Sequence, residues 1–166
     1  MDEKAKKTAL RMIPYGLYVL TSRSSEGAAA ATVNWVTQAS FEPPLVVVAV
    51  KMDSRIYGVI RSCGTFALNF LGKDQGDIAY AFFKPVESDE QQIGGYEYEV
   101  GVTGSPLLRV VPAFVECRVA EVVERGDHAV IVGEVIEAGV RREPEGRPDE
   151  AVLWLKDLGP KIFYGG

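Results

Sequence analysis

Ala113-Phe114-Val115-Glu116-Cys117-Arg118-Val119-Ala120-Glu121-Val122-Val123-Glu124 and His128-Ala129-Val130-Ile131-Val132-Gly133-Glu134-Val135-Ile136-Glu137-Ala138-Gly139-Val140 flank the tripeptide Arg125-Gly126-Asp127. Both runs are rich in β-branched residues and the link between them has turn chemistry, which predicts two strands joined by a tight turn. In the first run Val115, Cys117 and Val119 alternate with Glu116 and Arg118, so one face is expected to be buried and the other wet.

Upstream, Gly16 to Ser22 is rich in β-formers, Ser24-Ser25-Glu26-Gly27 has turn chemistry, and Ala28 to Thr37 is small and β-branched, which reads as a first hairpin. Phe41-Glu42-Pro43-Pro44 interrupts regular structure because proline cannot donate to a ladder, and the continuous apolar run Leu45 to Val50 predicts a strand buried on both sides. Thr65 to Leu71 predicts another strand. Short helices are expected over Asp2 to Ile13, stopped by Pro14, from the N-cap Ser54 through Ile60, ended by Cys63-Gly64, and over Gln75 to Phe83. Lys84 to Gly95 and Arg141 to Glu150 read as loops. Trp154 to Lys156 and Lys161 to Tyr164 are expected to supply one or two closing strands. The sum is a mainly β fold with short helices and six or seven strands, in which antiparallel hairpins favour a barrel that removes its own edges.

A chain of 166 residues, 47% hydrophobic and 25% charged, fits one globular domain spanning residues 1–166. Its charged N-terminus, Met1 to Lys7, is not followed by a long apolar stretch, so the expected compartment is the cytoplasm, with no membrane partner. A net charge of −5 gives no basic field for nucleic acid. One histidine and two distant cysteines, Cys63 and Cys117, fall short of a zinc set, so no metal is expected; the cysteines read as buried free thiols.

Nucleotide-binding glycine motifs and a GxSxG elbow are absent. Asp127-His128 admits either a general base or a hydrogen-bonded binding group. Thr32, Asn34, Thr37, Ser40, Ser54 and Thr65 place hydroxyls and amides beside apolar strands, where turn and cap duty is the alternative to ligand contact. Ser54-Arg55 is more pointed, because a helix N-terminus offers free N–H groups and arginine can take phosphate bidentately.

Five segments in register and order resemble the flavin reductase-like family, from about residue 12 to residue 138. They are Pro14-Tyr15-Gly16-Leu17-Tyr18-Val19-Leu20-Thr21, Ala31 through Val46, Ser62 through Leu71, Thr103-Gly104-Ser105-Pro106-Leu107, and Glu116-Cys117 leading to Gly126-Asp127-His128 and Gly133-Glu134-Val135. The resemblance implies an antiparallel split β-barrel that holds FMN in a groove at a homodimer interface. It implies a flavin ring against Asn34 to Ser40, with the backbone N–H groups of Trp35, Val36 and Thr37 on the pyrimidine edge and side-chain contacts from Thr32, Asn34 and Ser40. The phosphate is then expected near Ser54, Arg55, Phe83 and Lys84. His128, in a Gly-Asp-His turn similar to the family's, is expected to contact or orient the nicotinamide.

The function so implied is an NAD(P)H:flavin oxidoreductase using NADH or NADPH as donor, with a monooxygenase or electron-transfer protein as a possible recipient. The absence of an acid–base set is no objection, since hydride transfer to a flavin is served by stacking the two rings. An electron-transfer flavoprotein of the flavoredoxin kind, reduced by a protein donor, is the alternative. A barrel with a different ligand or none is the third.

Overall fold

The computed structural model describes all 166 residues. In chain order it contains α1 (Glu3–Arg11), β1 (Tyr18–Ser24), β2 (Gly27–Val33), β3 (Val36–Ser40), β4 (Leu45–Lys51), α2 (Arg55–Cys63), β5 (Thr65–Phe70), α3 (Gly76–Ala81), β6 (Gln92–Ile93), β7 (Tyr96–Val100), β8 (Pro106–Leu108), β9 (Ala113–Glu124), β10 (His128–Val140) and α4 (Pro148–Ala151), followed by a 3-10 turn at Leu155–Leu158. No helix is long and apolar enough to cross a membrane.

Seven strands form one sheet in the order β2-β1-β5-β9-β10-β4-β3, and β6-β7-β8 form a second. Every pairing is antiparallel. The long hairpin lies at the centre, with bulges between Val132 and Gly133 and between Val135 and Glu137 that bend β10.

Strand periodicity puts a core on each side of this sheet. Along β1, Val19 joins Leu17, Leu71, Phe82, Ile93 and Leu108 beneath the small sheet. Its neighbour Leu20 points the other way, to Ile56 and Ile60 of α2, Phe66, Leu68 and Ile131. Phe66, Leu68 and Ile131 are fully buried, and each such side chain contributes about 1.5–3 kcal/mol relative to an exposed one. Gly133 makes room for this packing, because a Cβ there would overlap the Phe66 ring.

β2 and β3 are the opposite margins of the sheet, yet only Asn34 and Trp35 separate them. Three residue steps span at most about 11 Å, so the sheet must curl until its two margins meet at this corner. The margins are not paired in the sheet order, so the curl stops short of the closed barrel expected from the sequence.

Other expectations need correction. β4 is not buried on both sides: Val48 and Val50 are buried, whereas Val47 and Ala49 alternate onto a half-buried outer face. Glu116, expected on a wet face, is 1% exposed because the Gly101–Ser105 loop folds over it. The closing strands are absent. Trp154 and Val152 make single bridges to Gly16 and Gly72, and the chain from Gly159 onward runs without strand pairing. The expected loop at Lys84 to Gly95 contains β6, and β7 and β8 are strands that the sequence reading did not assign. Both cysteines are free, but only Cys117 is buried, where loss of solvation pushes its thiol up to about 12. Cys63 is half-buried; burial raises its pKa, but hydrogen bonds with Ser22 and Thr65 outweigh this and leave it lowered.

Candidate functional site

A cleft of about 380 Å³ opens where the β2–β3 corner faces the ends of β4 and β10. β4 and β10 pair in register, with Lys51 opposite His128 and Val50 opposite Ala129, so the cation and the imidazole start the same rim. Thr32 and Val33 enter from β2 and Asn34 from the corner after it, Ser54 and Ile56 from the start of α2, and Phe82 and Phe83 from just beyond α3. Leu17 and Leu155 line the apolar floor, and Ile162, Phe163 and Tyr164 come from the C-terminal segment.

His128 is held at both nitrogens. Nδ1 lies 2.8 Å from Asp127 Oδ1 and Nε2 lies 2.9 Å from the Tyr164 hydroxyl. The hydrogen bond from His128 holds the Asp127 carboxyl below its ordinary range, whereas burial pushes the Tyr164 phenol up. Trp35 packs on both rings, with centroids 4.7 Å from His128 and 5.3 Å from Tyr164. Its Nε1 is buried with no hydrogen-bond partner. Asn34 is buried, and its Nδ2 donates to the Tyr164 carbonyl at 3.2 Å. Lys51 pairs with Asp53 at 3.1 Å, and that hydrogen bond raises the ammonium pKa.

At the start of α2, the Ser54 hydroxyl donates to Lys51 O and accepts from Tyr57 N, while Gly64, in the left-handed conformation at φ 71°, closes the other end. Arg55 lies just beyond Ser54, exposed, with its guanidinium toward the β1–β2 turn at Gly27. Neither Arg55 nor Lys84 has a carboxylate partner.

Of the residues singled out from the sequence, the cleft brings together Thr32, Asn34, Ser54, Phe83 and His128. Trp35, Val36, Thr37, Ser40, Arg55 and Lys84 are not on its lining. Trp35 backs it through its ring contacts, Arg55 follows Ser54, and Lys84 follows Phe83. Thr37 and Ser40 lie on the margin strand β3. The Val36 N–H already donates to Asn34 O at 3.1 Å, and the Thr32 hydroxyl to Ala79 O at 2.7 Å. Sequence reasoning missed Lys51 and Tyr164. Lys51 is signalled only by its register opposite His128, and Tyr164 was expected in a strand.

A mostly apolar cleft with a few polar groups suits a flat aromatic ligand bearing a charged tail. The polar lining residues Asn34 and His128, the unpaired cations Arg55 and Lys84 that adjoin the cleft and the N-terminus of α2 fit a flavin mononucleotide, and no feature of the lining opposes it.

Residues 10–158 match the family model described as "Flavin reductase like domain". The chain is 33% identical over 135 residues to a protein named "Probable flavin reductase" from Rhizobium meliloti (strain 1021), covering 81% of this chain and 42% of that one, so it spans less than half of that relative's length. It is 32% identical over 135 residues to the "NADH-dependent FMN reductase AsuE2" of Streptomyces nodosus subsp. asukaensis, covering 79% of this chain and 71% of that one. Among solved structures, the NADH:FAD oxidoreductase SgcE6 of Streptomyces globisporus C-1027, in complex with NAD and FAD fragments, superimposes with a TM-score of 0.68 at 28% identity, covering 82% of this chain and 88% of that one. A margin-to-margin curled sheet, a flavin-sized slot at its corner and a match over residues 10–158 lead to one conclusion, that the chain belongs to the flavin reductase-like family.

Proposed function

We propose that this protein is a split-barrel NAD(P)H:flavin oxidoreductase that binds FMN in the corner cleft. The observation that carries the reading is the convergence of Thr32, Asn34, Ser54, Phe83 and His128 on one apolar slot, from four separate stretches of chain. Relatives that are NADH-dependent FMN reductases, and one solved with NAD and FAD fragments, support the choice of cofactor and donor.

A bound flavin supplies the hydride acceptor; the protein positions and desolvates. The apolar lining excludes water from the ring face on which the nicotinamide stacks. Asn34 faces the ring's polar atoms from the cleft lining. Ser54, the free N–H groups at the start of α2, Arg55 and Lys84 neutralise the phosphate. His128 orients the nicotinamide, with Asp127 fixing which nitrogen carries the proton.

The protein acts as a homodimer in this reading. Val123, Val130, Ile136 and Val140 of the long hairpin are exposed, apolar surface that a second copy would cover. A partner oxygenase or electron-transfer protein receives the reduced flavin or its electrons.

An anaerobic visible spectrum of desalted, FMN-incubated protein, taken before and after NADH and then NADPH, tests the proposal. A retained flavin band that bleaches is expected, and the effective nucleotide names the donor. A retained band that neither nucleotide bleaches replaces the reductase with an electron-transfer flavoprotein reduced by a protein donor. Loss of the flavin on desalting means an exchanging flavin if NAD(P)H oxidation still rises with added FMN, and a different ligand if it does not.

A further inference from the structure

The family match ends at residue 158, yet Tyr164 stands at the centre of the cleft's polar network. Asp127, as a carboxylate, can only accept, so it takes the Nδ1 proton of a neutral His128. Nε2 is then an acceptor, and the Tyr164 hydroxyl fills it at 2.9 Å. Both ring nitrogens are thereby occupied. A histidine so held has no site left for the carboxamide of a nicotinamide.

We infer that Tyr164 is a specificity-determining residue whose hydroxyl competes with the nicotinamide carboxamide for His128 Nε2, so that the C-terminal segment must yield before the donor engages. This rests on the reductase reading above.

Three further observations support a segment that can yield. Ile162 to Tyr164 form no strand pairing. They are anchored by few groups: Arg11 Nε donates to Gly165 O at 3.1 Å and its guanidinium sits 4.3 Å over the Phe163 ring, and Asn34 donates to Tyr164 O. Beneath them the Trp35 N–H is buried without a partner, with Gly165 beside it, so the closed arrangement carries an unsatisfied donor that opening relieves. The raised phenol pKa keeps Tyr164 protonated at neutral pH and able to donate. The incoming carboxamide amide replaces that donor at Nε2, and its carbonyl can take the freed indole N–H.

The test uses the fact that His128 is the only histidine, so its ¹⁵N resonances are unambiguous in the FMN-loaded protein. Wild type, Tyr164→Phe, His128→Ala and the double variant are titrated with NAD⁺, and KM for the active donor and kcat are measured in parallel. Tyr164→Phe keeps the ring that packs on Trp35. We expect it to shift the Nε2 resonance, to lower the NAD⁺ dissociation constant and the donor KM about fivefold, the worth of one hydrogen bond, and to leave FMN affinity and kcat unchanged. In the His128→Ala background the same substitution should change nothing. An unchanged or raised KM in Tyr164→Phe overturns the competition, as does an equal drop without His128. If Nε2 shifts in Tyr164→Phe but no variant binds NAD⁺ or is reduced by either nucleotide, it is the reductase reading that fails.

Discussion

Two acidic centres lie on the central hairpin, and they differ in how completely they are satisfied. Glu116 of β9 is 1% exposed and takes N–H bonds from Val102 at 3.1 Å and Thr103 at 2.8 Å and the Thr103 hydroxyl at 2.7 Å. A Cβ at Gly101 would overlap its carboxylate, so the loop is shaped to the acid. Asp127, at the other end of β9, has a side chain 85% exposed and reaches only His128, which shares its second nitrogen with Tyr164 above an unpaired indole. Both lie in segments that carry the family resemblance. Full satisfaction in a closed site marks scaffold, whereas exchangeable partners beside a cleft mark chemistry.

Substitutions separate the two roles. Glu116→Ala strands two backbone donors and a hydroxyl, which should cost roughly 3 kcal/mol and lower Tm by about 6–12 °C for a chain of this size. FMN affinity of the folded protein should stay the same; a normal Tm with weakened FMN binding would erase the distinction. Arg55→Ala should weaken FMN binding by more than about tenfold, roughly 1.4 kcal/mol, without moving the Tm of the flavin-free protein. An unchanged FMN titration would move the phosphate away from α2. His128→Ala should slow nicotinamide-driven reduction by up to about tenfold, the scale of one hydrogen bond, with flavin still bound in the desalted protein. An unaltered rate removes the histidine from donor binding.

The smallest effect belongs to Asp127→Asn. A carboxyl held below its ordinary range stabilises the fold above its unfolded value, near pH 4, and loses that contribution as pH falls through the lower folded value. The Tm difference between wild type and Asp127→Asn should therefore be steady at neutral pH and shrink below about pH 4. A difference that grows with acid would mean that the His128 contact is not what lowers the Asp127 pKa.

The hairpin was legible to the residue, since β-branched runs of strand length around a glycine turn leave little choice. The faces were harder to assign. Alternation placed Glu116 outside because it records polarity and not what a distant loop brings over it. Tyr96-Glu97-Tyr98-Glu99-Val100 alternates as a strand should, and only the brevity of its partner Pro106–Leu108 hid it. The apolar aromatic end of the chain reads as a strand, but Gly159, Pro160 and Gly165 favour an irregular course. At the site, Thr32, Asn34, Ser54, Phe83 and His128 came from local chemistry joined to the family resemblance. Lys51 and Tyr164 are set by register and tertiary contact, which a linear reading does not contain.

The two-residue corner at Asn34-Trp35 also bears on the order of assembly. The cleft's hydrogen bonds tie Asn34 to a residue 130 positions away and His128 to one 36 positions away, so the pocket is a contact of high order, costly in loop entropy and slow to nucleate. The central hairpin can form early from neighbours in sequence, whereas the pocket forms only once Asn34, His128 and Tyr164 have met. A complete cleft therefore reports that the β2–β3 corner, the start of β10 and the C-terminal segment have all come together.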